Sequence, residues 1–186
     1  MNANSKSQSR KNIAYHYDLG NEFYRLWLDD TMTYSSGLFG SGQESLEAAQ
    51  RAKYASMVDR MGAQPGDHVL EIGCGWGGFA EYAAGERGLK ITGLTISQAQ
   101  HDYAVARMDR AGLSDRVQIK LQDYRDERGT YDGIASIEMF EAVGEKYWPV
   151  YFGALRDRLK PGRNATLQII TVADKRFETY RKGVDF

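Results

Sequence analysis

The stretch from Val69 to Gly78 constrains the fold of this chain more than any other. Its first four residues, Val69 to Ile72, are mostly apolar and long enough for a buried parallel strand. Four glycines follow within six residues: Gly73, Gly75, Gly77 and Gly78. A helical pattern begins at Phe79. Strand, glycine turn and helix form the first unit of a nucleotide-binding α/β fold, because glycines let the backbone turn sharply beside a ligand.

This glycine turn fits two kinds of ligand. The dinucleotide fingerprint needs an acidic residue about twenty positions later, and the second predicted strand, Lys90 to Ile96, ends without one. The alternative is Glu-x-Gly-x-Gly-x-Gly, the first motif of methyltransferases that use S-adenosyl-L-methionine. There Gly73, Gly75 and Gly77 would admit the methionine part of the cofactor, and Glu71 would orient its ammonium group. A tight turn without a ligand is the third interpretation.

The composition narrows the class of protein. The chain has 186 residues, 42% hydrophobic and 26% charged, which suits one globular domain. Its net charge of −1 gives no electrostatic reason to expect a nucleic-acid partner. Cys74 is the only cysteine, which excludes an internal disulfide and fits a reducing compartment. No apolar run approaches the roughly twenty residues of a membrane span and no signal peptide opens the chain, so we expect a cytoplasmic protein.

Strand and helix patterns alternate after the glycine turn. Further strands are predicted at Val117–Leu121, Tyr131–Ile137 and Ala165–Val172, and helices at Ser97–Ala111 and Tyr147–Leu159. This alternation predicts an α/β fold, a Rossmann-like parallel sheet of order 3-2-1-4-5 with helices on both faces.

The chain before this core divides into two segments. Residues 1–11 are polar and predict a mobile tail. Residues 12–62 are rich in aromatic side chains and predict an N-terminal helical lid or substrate segment, although a helix that only covers the core fits as well. Its longest helix is expected from Glu44 to Met61, with Ser41 starting a capping box and Gly62 ending the helix. Residues 63–186 form the predicted methyltransferase core.

Candidate ligand contacts follow the predicted strands, whose carboxyl ends meet at one edge of the sheet. After strand two, Thr95 and Gln100 offer hydrogen bonds to a ribose. After strand three, Asp123 could meet an adenine amino group and Tyr124 could stack on its ring. The His and carboxylate residues show no metal-ligand spacing.

Two glutamates, Glu138 and Glu141, follow strand four. One interpretation is a helix first turn, where free N–H groups favour carboxylates. The other is functional, because Met139 and Phe140 make the surroundings apolar and such carboxylates tend to serve chemistry.

Several motifs, in this order, are similar to those of one family. They are His16-Tyr-Asp-Leu-Gly-Asn21 with Phe23-Tyr24, Met32-Thr-Tyr-Ser35, Glu71-Ile-Gly-Cys-Gly-Trp-Gly-Gly78, Gly93-Leu-Thr-Ile-Ser97, Gln122-Asp-Tyr-Arg125 and Met139-Phe-Glu-Ala-Val-Gly144. On these residues the chain resembles the cyclopropane-fatty-acyl-phospholipid synthase family, which includes the mycolic acid cyclopropane synthases, from about Ile13 to its last residue.

The resemblance implies methyl transfer from S-adenosyl-L-methionine to a cis double bond of an unsaturated phospholipid or fatty acyl chain. The resulting carbocation would lose a proton and close to a cyclopropane. Aromatic faces stabilise such a cation, which gives the N-terminal segment a role. The substrate implies transient contact with a membrane surface, at the inner face.

The resemblance also implies residue roles. Eight residues would contact the cofactor: Tyr34, Ser35, Gly73, Gly75, Thr95, Gln100, Tyr124 and Arg125. Glu141 corresponds to the family's active-site glutamate, which helps to hold a bicarbonate ion that takes the proton.

The chain departs from the family pattern in four ways. Ser36 stands where well-known members carry cysteine, Gln168 where they carry histidine, and Ala142 where histidine often follows the glutamate. With these substitutions bicarbonate would have fewer hydrogen-bond partners and would be a less certain base. The product could then be a methyl- or methylene-branched chain in place of a cyclopropane. The chain also ends before two further strands expected of this fold, so we expect a C-terminal truncation and an exposed strand-five edge through which copies could pair.

Two other functions remain open from the sequence. The departures at Ser36 and Gln168 fit a small-molecule N-methyltransferase on the same scaffold. The missing strands fit a non-catalytic, cofactor-binding fragment.

Overall fold

A five-stranded parallel sheet organises residues 20–182, the part of the chain that the computed structural model describes. The strands are β1 (His68–Ile72), β2 (Lys90–Thr95), β3 (Val117–Leu121), β4 (Tyr131–Ile137) and β5 (Leu159–Gln168). The helices are α1 (Gly20–Arg25), α2 (Leu46–Met61), α3 (Gly78–Gly85), α4 (Gln98–Arg110), α5 (Trp148–Arg158) and α6 (Asp174–Lys182). Short 3₁₀ turns cover Tyr124–Asp126, Phe140–Ala142 and Glu145–Tyr147. The strand order, β3-β2-β1-β4-β5, confirms the predicted fold.

The strand order reverses at β1. On one side Val69 of β1 pairs with Ile91 of β2, and on the other it pairs with Gly133 of β4. The carboxyl ends of β1 and β4 are therefore neighbours at the position where ligands bind in open parallel sheets.

Helices cover both faces of the sheet, as the alternation of elements predicts. Successive residues of β1 point to opposite faces, so Val69 packs with the α2 and α3 side while Leu70 packs with the α5 side. The first face buries Tyr54 and Val58 of α2 against the sheet. α2 is thus a core helix over much of its length.

Two predicted boundaries are wrong. The cap of α2 is Ser45, whose hydroxyl accepts from Ala48 N, whereas Ser41 and its neighbours donate to the Glu44 carboxylate outside the helix. β5 begins at Leu159, before Pro161 and Gly162, and ends at Gln168. Within residues 20–182 β5 pairs only with β4, and an edge strand accepts a proline because its outward N–H groups need no partner. Pairing of copies through this edge stays a prediction.

Part of the N-terminal prediction lies outside the described residues, namely the tail at 1–11 and the first eight residues of the 12–62 segment. Across residues 20–182 no helix is both long enough and apolar enough to cross a membrane.

Candidate active site at the ends of strands β1, β4 and β5

The glycine turn lies directly after β1. Gly73, Gly75 and Gly77 all have positive φ, at 81°, 53° and 85°, which L side chains rarely adopt. The amides of Gly73 and Cys74 both donate to Leu94 O, at 3.0 and 2.8 Å, and this fastens the turn to β2. A Cβ built on Gly75 meets no atom within 4 Å, so this residue faces open space. The turn leads into α3, whose N-cap is Gly77.

Glu71, the last but one residue of β1, is a buried carboxylate. It is 3% exposed, and among residues 20–182 its buried Oε2 has no hydrogen-bond partner. Burial raises the pKa of Glu71 to about 8, and the nearby charges of Arg107 and Lys53 offset only part of that rise. A buried hydrogen-bond acceptor without a donor lowers the stability of the folded state, and a cationic ligand group would stabilise it.

Aromatic side chains of the N-terminal segment lie against the glycine turn. The Tyr24 ring is 4.9 Å from the ring of Trp76, which belongs to the turn, and 5.6 Å from that of Tyr34. Trp27 contacts Tyr34 edge-on at 5.3 Å, and Trp76 Nε1 donates to Asn21 Oδ1 at 2.7 Å. Tyr24, Trp27 and Tyr34 thus form an aromatic wall beside the glycine turn.

Polar side chains of α2 hold the segment that carries Tyr34. Gln50 Nε2 donates to Ser35 O at 2.7 Å, and Lys53 Nζ donates to Ser35 Oγ at 2.6 Å. Both α2 side chains are buried, and burial lowers the pKa of Lys53 to about 8. Gln50 and Lys53 are not among the residues predicted from the sequence, although their position beside Tyr54 and Met57 on the buried face of the helix was a usable signal.

Thr95 and Gln100 lie together at the end of β2. Both are buried, and Thr95 Oγ1 donates to Gln100 Oε1 at 2.8 Å. Ser97 caps α4 between them, as predicted, by accepting from Gln100 N. The two candidate ribose contacts therefore form one unit.

Asp123, Tyr124 and Arg125 follow β3. Asp123 accepts from Arg125 Nε at 2.8 Å and from its Nη2 at 2.5 Å, so its carboxylate is engaged within the chain. The Tyr124 ring packs edge-on against Tyr151 at 5.5 Å. Tyr124 lies just after β3, and the contacts of Asp123 and Tyr124 with adenine both stay predictions.

Glu138 links three elements at the end of β4. Its Oε1 accepts from Ser36 N at 3.0 Å, Ser36 Oγ at 2.8 Å and Gln168 Nε2 at 2.8 Å. Two of the three positions that depart from the family pattern, Ser36 and Gln168, thus contact one carboxylate. Glu138 also has a φ of 46°, unusual for a residue with a side chain, and its amide donates to Gln168 O at 2.9 Å.

Glu141 lies one short turn further along. Its carboxylate accepts a hydrogen bond from the amide of Ile170, just after β5, and the residue is exposed. Its predicted role at a reacting centre stays a prediction.

The residues present fit one implied ligand better than the other. The orphaned Glu71 oxygen and the open space at Gly75 suit the aminoacyl end of S-adenosyl-L-methionine. A bicarbonate ion would need donors such as Ser36 and Gln168, and the Glu138 carboxylate already occupies them.

Comparison with known proteins adds independent information. The family model described as mycolic acid cyclopropane synthetase matches residues 4–186. Tuberculostearic acid methyltransferase UfaA1 of Mycobacterium tuberculosis is 45% identical over 179 residues, which is 92% of this chain and 42% of that protein. Cyclopropane-fatty-acyl-phospholipid synthase of Escherichia coli K12 is 42% identical over 146 residues, covering 78% of this chain and 37% of that protein. This chain therefore spans about two fifths of the length of these relatives.

Solved structures agree with the fold. The cyclopropane synthase MmaA2 from Mycobacterium tuberculosis superimposes with a TM-score of 0.85 at 29% identity, covering 95% of this chain and 62% of that one. Mycolic acid cyclopropane synthase CmaA1, complexed with SAH and CTAB, gives 0.83 at 28% identity, covering 94% and 61%.

Proposed function

This chain belongs to the mycolic acid cyclopropane synthetase family, and on that premise we propose that it takes part in S-adenosyl-L-methionine-dependent methyl transfer to the double bond of an unsaturated lipid acyl chain. The product would be a cyclopropane or a methyl- or methylene-branched chain. The names of its relatives support this substrate class, since they include a tuberculostearic acid methyltransferase and a cyclopropane-fatty-acyl-phospholipid synthase.

The observation that carries the proposal is the buried, unpaired Oε2 of Glu71 beside the open face of Gly75. The cofactor supplies an electrophilic methyl group when bound. In the proposal, the Glu71 carboxylate binds the ammonium group of the cofactor. Gly73, Gly75 and Gly77 leave space for the aminoacyl end of the cofactor. The remaining predicted contacts are Tyr34, Ser35, Thr95, Gln100, Asp123, Tyr124 and Arg125.

The aromatic wall would serve the acyl chain. The rings of Tyr24, Trp27 and Tyr34 lie within 6 Å of one another, centroid to centroid, beside the glycine turn. Their faces would stabilise positive charge that develops on the alkene carbon as the new C–C bond forms. They would also exclude water, which otherwise captures a carbocation.

The acyl chain has to leave a lipid surface to reach this wall, and apolar side chains suited to such contact are exposed. Leu26 is 81% exposed, and Leu38 and Phe39 are about half exposed. We place transient membrane contact on these residues, at the inner face of a cytoplasmic membrane.

Two acceptors could take the proton that leaves the acyl chain. The family resemblance implies bicarbonate held with the help of Glu141. The other acceptor is a carboxylate of the chain itself. The two acceptors can be distinguished by measurement, because turnover depends on added bicarbonate only if bicarbonate takes the proton.

The experiment is transfer of radiolabelled methyl from S-adenosyl-L-methionine, catalysed by the full-length gene product. We expect label in unsaturated phospholipid and none in the saturated analogue. A panel of small amines is the matched comparison. Label in amines alone would overturn the lipid proposal in favour of an N-methyltransferase, and label in no acceptor would favour a binding role.

A further inference from the structure

We propose that the Glu138 carboxylate is the group that takes the proton from the methylated acyl chain, in place of bicarbonate. This inference rests on the proposed function, since it assigns one step of that reaction. It starts from the cluster of Ser36, Glu138 and Gln168 at the ends of β4 and β5.

The two oxygens of Glu138 differ. Oε1 accepts from the Ser36 amide, the Ser36 hydroxyl and the Gln168 side-chain amide, all within 3.0 Å. Within residues 20–182 none of the hydrogen bonds found reaches Oε2. One oxygen is thus fixed by three donors while the other is available to accept a proton, which is the arrangement that a positioned general base needs.

Glu138 also lies beside the predicted cofactor site. The next residue, Met139, covers the glycine turn, because a Cβ on Gly73 would lie 2.8 Å from Met139 Cγ. Ser36 follows directly on Tyr34 and Ser35, and Lys53, which donates to Ser35, interacts electrostatically with both Glu71 and Glu138. One charge network therefore spans the ends of β1 and β4.

The backbone at Glu138 indicates that this side chain is held in place against a conformational preference. A φ of 46° is unfavourable for a residue with a Cβ and natural for glycine. The Glu138 amide donates to Gln168 O, so the strained backbone is fixed to the same residue that fixes the carboxylate.

Bicarbonate and Glu138 compete for the same donors. Ser36 and Gln168 would have to release the carboxylate before they could bind another anion. Two negative charges would then share one site, which raises the energy of both. The chain therefore carries its own anion at this position.

The proposed step balances as follows. The alkene π electrons form a bond to the transferred methyl carbon, which leaves a carbocation on the acyl chain. For a cyclopropane, a C–H bond of the transferred methyl group then breaks, and its electron pair forms the bond from the methyl carbon to the cationic carbon that closes the ring. For a methylene-branched chain, a hydride first shifts from the methyl-bearing carbon to the cationic carbon, and a methyl C–H bond then breaks to form the C=CH2 double bond. In either case the proton goes to Glu138 Oε2. Glu138 becomes a neutral carboxylic acid and later returns the proton to solvent.

The first test is Glu138→Gln in the full-length gene product, with labelled S-adenosyl-L-methionine and unsaturated phospholipid. The amide keeps an oxygen for Ser36 but cannot take a proton, so we expect formation of the deprotonated product to fall about 100-fold or more. A cation that persists is captured by water, so mass spectrometry should show a methylated alcohol replacing part of the product. S-adenosylhomocysteine affinity, measured by calorimetry, should stay within about twofold of wild type. Glu145→Gln, on the same loop, is the matched control and should change neither rate nor product.

The second test is Glu138→Gly, which relieves the positive φ and frees the Ser36 and Gln168 donors that bind the Glu138 carboxylate. We expect this variant to be inactive in bicarbonate-depleted buffer and to regain turnover when millimolar bicarbonate or formate is added. Wild type should be indifferent to bicarbonate.

The outcomes separate this inference from the proposed function. Wild type that labels lipid together with a Glu138→Gln variant of equal rate and product would overturn only the role of Glu138, as would a wild type that needs bicarbonate. Wild type that labels no acyl chain overturns the proposed function, and the inference falls with it.

Discussion

Two glutamates at neighbouring strand ends, Glu71 and Glu138, are held in opposite ways. Glu71 is almost fully buried, and its Oε2 has no donor among the described residues. Glu138 is half-buried and has three donors on Oε1. A buried carboxylate without donors is stabilised by a cation that arrives with a ligand, whereas a carboxylate with donors keeps its position before any ligand binds. The difference agrees with the binding role proposed for Glu71 at β1 and the proton-transfer role proposed for Glu138 at β4.

The largest expected effect comes from filling the turn beside Glu71. Gly75→Ala places a methyl group in the space that the cofactor's aminoacyl end would occupy, and we expect S-adenosylhomocysteine affinity to fall about 100-fold. The control is Gly112→Ala, because Gly112 has a similar φ of 66° and the same open space but lies after α4. It carries the same backbone strain and should leave binding unchanged in calorimetry. Equal losses in both variants would mean that strain, not occupancy, weakens binding.

The next largest effect is the pH dependence of stability that the buried Glu71 contributes. Because the pKa of Glu71 is raised from 4.5 to about 8, the folded state favours the neutral acid. The stability that this preference contributes is complete below about 4.5 and is lost as pH rises through about 8. Relative to Glu71→Gln, wild type should therefore lose free energy of unfolding across this range, on the order of a few kcal/mol.

Urea denaturation of both proteins in parallel measures this difference. Lys53, whose pKa is lowered to about 8, does not produce the trend, because its charged form carries a constant penalty below that pH. A difference between the two proteins that does not change with pH would contradict an unpaired carboxylate at Glu71.

A smaller effect is expected from loosening Glu138. Ser36→Ala removes one hydroxyl donor and keeps the backbone donor, so turnover of the full-length gene product should fall about tenfold. Ser41→Ala is a close match, because the Ser41 amide and hydroxyl also donate to one glutamate oxygen, that of Glu44, in an exposed loop. Turnover of that variant should equal wild type. If Ser36→Ala were silent as well, the hydroxyl would not position Glu138.

The smallest effect concerns the proposed membrane contact. Leu26→Ser should leave the free energy of unfolding within about 0.5 kcal/mol, since the side chain is 81% exposed, yet weaken binding to phospholipid vesicles several-fold. Val150→Ser is the control, because Val150 is also an exposed apolar side chain, at 47%, and its helix α5 packs on the Leu70 side of the sheet. Vesicle co-sedimentation distinguishes them, and equal binding by both variants would remove α1 from the contact.

The fold was largely predictable because its signals are local. β3 and β4 match their predicted bounds, since apolar residues recur along each of them between clear turn residues, as at Val117, Ile119 and Leu121 of β3. β5 was misplaced because Pro161 and Gly162 indicate a break, and only the finished sheet shows that this strand lies at an edge. The cap of α2 was assigned four residues early, because Ser41 and Ser45 both suit a helix start.

The site was predictable only where its chemistry lies in consecutive residues. The glycine turn with Glu71 could be found in this way. The cluster of Ser36, Glu138 and Gln168 could not, because its hydrogen bonds join residues 102 and 132 positions apart. The sequence marked Ser36 and Gln168 as unusual, and only the fold brings them to the same carboxylate.

The indole of Trp76 connects the glycine turn to helix α1. Its N–H is bonded to Asn21 in α1, and its ring packs on Tyr24 of the same helix. A nucleoside that shifts this indole must change the free energy of α1, and thermodynamic reciprocity requires a lipid that displaces α1 to change nucleoside affinity by the same factor. Under the proposed function, the lipid and the nucleoside would each change the other's affinity. The fluorescence of Trp76, which is 3% exposed, would report that change in a variant in which Trp27 and Trp148 are replaced by phenylalanine.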